Sequence, residues 1–121
     1  MTASSKYYLP AIVWLLFITG MSLVPKMQLP KFDLISVDKA GHLASYAVLV
    51  WLLLYGYRRR EGAPATPRTG WLFVAAATAY GALLEFVQGN FIPGRFFGYD
   101  DMIANALGAL GAWLLYRYLR P

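Results

Sequence analysis

The chain has 121 residues, of which 59% are hydrophobic and 14% charged, a net charge of +5 and no cysteine. That is too apolar and too charge-poor for a water-soluble domain, which carries about 25% charged residues, and it excludes disulfides and thiolate chemistry. The basic residues punctuate apolar runs and form no stripe, so nucleic acid is not expected as a partner.

Four apolar runs predict an all-α, four-helix membrane bundle in a single domain, with helices over residues 7–24, 38–57, 70–89 and 101–118. The first begins after Lys6 and also fits a signal peptide, but "GMSLVPK" makes a poor cleavage site, and an uncleaved span is the expectation. The connection "PKMQLPKFDLISVDK" leads to the second run, which opens on "DKAGHLASY" and closes on Arg58, Arg59 and Arg60. A proline-containing basic loop, "RRREGAPATPR", leads to the third, an alanine-rich run carrying Glu85 and Gln88 near its end. The turn-prone stretch "NFIPGRFFGYD" then leads to the fourth, which begins with Asp100 and Asp101.

With four alternating spans, Lys6, Arg58, Arg59, Arg60, Arg68, Arg117 and Arg120 share one side, and Lys26, Lys31, Lys39 and Arg95 the other. Seven of the eleven basic residues on one side predict that both termini are cytoplasmic. The polar residues then gather at the outer ends: Asp38, Lys39 and His42 on the second helix, Glu85 and Gln88 on the third, Asp101 and Asn105 on the fourth. Within each helix they share a face. Asp38 and His42 are four apart, with Tyr46 one turn deeper; Glu85 and Gln88 are three apart; Asp101 and Asn105 are four apart. Ala104, Gly108 and Ala112 form a stripe of small residues that lets helix backbones approach closely in lipid, with the alanines of the third helix as candidate counterparts.

Each residue also has a plainer reading. Asp38 and Asp101 suit helix N-termini as caps, Lys39 suits a snorkelling anchor, and Tyr46 an ordinary buried tyrosine. Glu85 resists such a reading, because it stands near a helix C-terminus after the apolar run "AAATAYGALL". A charged side chain within a span is a functional hypothesis by default.

The blocks "DKAGHLASY", "YGALLEFVQ" and "GRFFGYDDMIANALGALG" resemble the VanZ-like membrane proteins. The family pattern falls on Asp38, Lys39 and His42, then Glu85 and Gln88, then Arg95, Asp100, Asp101, Asn105 and Gly108, in order over residues 37–111. The family takes its name from an accessory protein that lowers susceptibility to the glycopeptide antibiotic teicoplanin. The resemblance therefore implies a multi-pass protein of the bacterial cytoplasmic membrane working near cell-envelope lipids or glycans, and it implies no particular reaction.

Three function classes follow. In the first, Glu85, His42, Asp38 and Asp101 perform acid–base catalysis on an envelope lipid or precursor headgroup, with Arg95, Gln88, Asn105, Lys39 and Tyr46 binding it. In the second, the same groups only bind the headgroup. In the third, they are structural glue. No H-E-x-x-H pattern, Walker A loop or G-x-S-x-G elbow occurs. With one histidine and no cysteine, no metal or other cofactor is expected, although Asp38, Glu85, Asp101 and Asn105 offer oxygen ligands to a divalent cation. The oligomeric state stays open.

Overall fold

The computed structural model describes residues 5–23, 34–92 and 99–119, and over residues 34–39 only the course of the backbone. These residues are helical throughout their regular structure, with no strand among them. A short 3-10 turn, Ser5–Tyr8, leads into α1 (Leu9–Leu23); α2 is Leu34–Glu61, α3 is Pro67–Phe91 and α4 is Tyr99–Leu119. The second helix thus starts at Leu34, before the expected Asp38, and the third starts at Pro67, before the expected Gly70.

Local chemistry sets the α2–α3 turn. Gly62, with φ 74°, follows the end of α2, and its N–H donates to the Arg58 carbonyl oxygen at 2.9 Å. This is the left-handed glycine stop of many helices. Thr66 then caps α3: its hydroxyl oxygen accepts from the Thr69 N–H at 3.3 Å, and Pro67 occupies the first turn, where its missing N–H costs nothing. At the start of α4, Asp100 and Asp101 suit the positive end of the helix dipole, as Arg117 suits the negative end.

Packing centres on α4, which lies most extensively against α2 and next against α3. Val50, Leu54, Ala109 and Trp113 are fully or almost fully buried there. The small-residue stripe is the contact surface, since Ala104, Gly108 and Ala112 are all buried. Its closest counterpart is α2 and not α3: a Cβ on Gly108 would overlap the Leu43 carbonyl oxygen. The helices α1 and α3 meet through the paired hydroxyls of Thr19 and Tyr80. The Trp14 indole N–H ties α1 to α2 by donating to the Ser45 carbonyl at 2.8 Å.

Large apolar side chains cover the outside. Leu16, Phe17, Leu72, Leu83, Phe86, Ile103, Leu107 and Leu115 are all more than half exposed. Apolar exposure on this scale belongs to a surface that meets something other than water. Among the described residues, three helices are long and apolar enough to cross a membrane, within Ser5–Leu23, Ala40–Glu61 and Pro67–Phe91.

Candidate functional site: a histidine and two carboxylates from three helices

Gln88 bonds to Ser22 and His42 to Asn105, so the end of α1, the start of α2, the end of α3 and the start of α4 share one end of the bundle, opposite to Arg58–Arg60. Near that end, α2, α3 and α4 each contribute one ionisable side chain to a single cluster. His42, Glu85 and Asp101 each bring a ligand-type atom to within 4.8 Å of the others. His42 Nε2 lies 3.7 Å from Asp101 Oδ2. Glu85 is 1% exposed, while the His42 and Asp101 side chains are 17% and 22% exposed. The cluster therefore has a closed floor at Glu85 and an accessible side at the other two.

The third helix delivers Glu85 because its preceding residues are small. Ala77 and Gly81 are buried on the same face as Glu85 and Gln88. At Gly81, a Cβ would stand 2.8 Å from Asn105 Nδ2 and 3.2 Å from the Tyr46 ring. The absence of that Cβ gives Asn105 and Tyr46 their room beside α3. Tyr46 is buried one turn below His42 and lies within electrostatic range of Glu85.

Asn105 orients the histidine. It is 1% exposed, and its Oδ1 lies 3.0 Å from His42 Nδ1. A carboxamide oxygen only accepts, so Nδ1 is the donor in this contact, and Nε2 faces Asp101. Two carboxylates this close repel when both are ionised, by on the order of 3 kcal/mol even at an effective dielectric of about 20. A cluster of this composition is chemically suited to sharing a proton or holding a cation.

The other predicted residues divide. Gln88 is buried on the face of Glu85 but turns to α1, where its amide N–H donates to the Ser22 carbonyl at 2.8 Å. Ser22 lies in the last turn of α1, whose carbonyls have no partner within the helix. Asp38 and Lys39 lie on the backbone course of α2, but their side chains are outside the described residues, as is the whole of Arg95. Two apolar-to-mixed grooves, one lined by Leu43, Trp51, Leu107 and Leu115, the other by Pro64, Trp113, Tyr116 and Arg117, contain none of the three clustered residues. The polar outer cavity expected at the cluster is therefore neither of these.

Sequence reasoning overlooked the Thr19–Tyr80 pair and the Trp14–Ser45 contact, both of which position α1. A threonine and a tyrosine inside apolar runs were the available signal. At the opposite end, the buried Trp113 Nε1 and Tyr116 hydroxyl have no hydrogen-bond partner among the described residues.

The fold and its surface define a multi-pass helical membrane protein with an ionisable cluster inside the bundle. A family model described as VanZ/LLP1 matches residues 4–120 of it, and the chain belongs to that family. No curated protein and no solved structure matches it.

Proposed function

We propose that this VanZ-like protein crosses the bacterial cytoplasmic membrane four times, with both termini and the Arg58–Arg60 end in the cytoplasm. On this reading α4 is the fourth span, tolerating Asp100 and Asp101 because they stand at its outer end. The His42–Glu85–Asp101 cluster then lies near the outer face and acts on the polar headgroup of a cell-envelope lipid or glycopeptide. The family's link to teicoplanin directs the choice of that substrate class.

The observation that carries the reading is Glu85: a carboxyl buried at 1% exposure, yet gathered with an imidazole and a second carboxyl from other helices. Such groups at one point are what acid–base chemistry needs, a donor and an acceptor within reach of a single reacting atom. His42 and Glu85 serve as proton acceptor and donor toward the headgroup, Asp101 and Asn105 hold the imidazole, and Arg95 and Lys39 attract an anionic headgroup.

The test is Glu85→Gln, which preserves size and removes the charge. The variant is expected to melt like the parent in detergent and to lose the envelope phenotype that the parent confers, teicoplanin susceptibility first among those scored. Full phenotype in a stable Glu85→Gln protein overturns the reading. One observation favours a structural role instead: His42–Asn105 and Gln88–Ser22 bond helix directly to helix. In that case stability and phenotype fall together.

A further inference from the structure

We propose that His42, Glu85 and Asp101 bind a single divalent first-row transition cation, of the Zn2+ or Mn2+ class, between α2, α3 and α4. The inference rests on the reading above in taking the cluster as a site; an ion held there takes the place of direct proton transfer by His42 and Glu85, whose donor atoms would face the metal.

The donor set is one imidazole nitrogen and two carboxylates. Imidazole suits Zn2+ and its neighbours, and carboxylates extend the range to Mn2+. Ligand bonds of about 2.0–2.2 Å around a tetrahedral centre place the ligand atoms about 3.4 Å from one another. The 3.7 Å separation of His42 Nε2 and Asp101 Oδ2 is too long for a hydrogen bond and close to that edge. One ligand-type atom from each of His42, Glu85 and Asp101 lies within 4.8 Å of the other two. Small side-chain rotations bring them onto one ion.

The surrounding groups also fit. A metal-binding histidine characteristically donates its second ring N–H to an oxygen acceptor, which fixes the tautomer and aims the free nitrogen at the metal. The His42 Nδ1–Asn105 Oδ1 pair, 3.0 Å apart, is such a contact, and Asn105 is itself buried. Asn105 therefore belongs to the site as a positioning residue. A dication attracts both Glu85 and Asp101, whose carboxylates repel each other when both are ionised. Three protein ligands leave coordination positions open. The partial exposure of His42 and Asp101 gives both the ion and an oxygen of a phosphate or carboxylate headgroup a way in. The three ligands come from positions 42, 85 and 101, so no local motif announces them.

The chain has one histidine, which makes the test direct. The full chain is purified in detergent through a histidine-free tag, treated with chelator, and titrated with Zn2+ and, separately, Mn2+. Metal content per chain is measured after dialysis, and the single imidazole is followed by NMR during the Zn2+ titration. The expected result is one ion per chain, a shift of the His42 ring resonances saturating at one equivalent, and affinity lowered at least tenfold in Glu85→Gln and Asp101→Asn. Asn105→Ala is expected to lower it about tenfold, as loss of a ligand-orienting bond does, while Asn90→Ala on the exposed end of α3 leaves it unchanged. Because the parent protein decides the matter, misfolding of a variant does not obscure it: no stoichiometric binding by the parent, or an unmoved imidazole, overturns the proposal. Loss of phenotype in a stable Glu85→Gln protein whose parent binds no metal overturns the cation and leaves the acid–base reading standing. Metal binding with full phenotype in Glu85→Gln does the reverse if that variant has lost its metal.

Discussion

Gly108 of α4 lies directly against the Leu43 carbonyl of α2, with no space for a side chain between them. This contact sets the distance between the two most extensively packed helices of the bundle. It also sets the register of the site, since His42 precedes Leu43 on α2 and Asn105 stands one turn before Gly108 on α4. Gly108→Leu is expected to destabilise the protein by about 3 kcal/mol or more, because the obstacle is backbone and cannot rotate away. Leu115→Ala, on the exposed face of the same helix, is expected to cost less than about 1 kcal/mol. Thermal melts in detergent compare the two; equal melting temperatures refute the close-approach argument.

The bond from Gln88 to the Ser22 carbonyl fastens the end of α1 to α3. Gln88→Met retains the length of the side chain and removes the donor from a buried position. The expected loss is about 1–2 kcal/mol of stability, with the affinity of the His42 cluster for Zn2+ unchanged. A tenfold loss of Zn2+ affinity in this variant, with normal stability, would instead assign Gln88 to the site.

Thr66 caps α3 at the arginine-rich end, far from the cluster. Thr66→Ala is expected to lower stability by about 1 kcal/mol, and Thr66→Ser to restore most of it. Because the cap is exposed and touches no clustered residue, neither variant should change the envelope phenotype. A phenotype in Thr66→Ala without a stability change contradicts this assignment.

Cysteines placed singly at Ala63 and at Asn90 probe opposite ends of the bundle, both at exposed positions. A membrane-impermeant thiol reagent applied to intact cells is expected to label position 90 and spare position 63, which becomes reactive only after permeabilisation. The motive is the excess of arginine and lysine at the Arg58–Arg60 end. Labelling of position 63 in intact cells inverts the topology and puts the cluster on the cytoplasmic side.

Local features of the chain are written in its sequence. Apolar runs of sufficient length mark the helices, and prolines, glycines and charges mark where they stop. Glu85 inside an apolar run marks a candidate site by its cost alone. The i, i+4 spacing of Asp101 and Asn105 places both on one face, and the Ala104–Gly108–Ala112 stripe announces a close approach. What the sequence leaves open is which helix meets that stripe. In a membrane helix the apolar residues surround the whole cylinder, so no amphipathic pattern distinguishes the face turned to a neighbour from the face turned to lipid. Only the tertiary structure sets α2 against Gly108, sends Gln88 to α1, and turns Asn105 to His42. Those choices depend on side-chain shapes meeting across helices more than sixty residues apart in the chain, and the assembly of His42, Glu85 and Asp101 at one point likewise depends on how three helices pack.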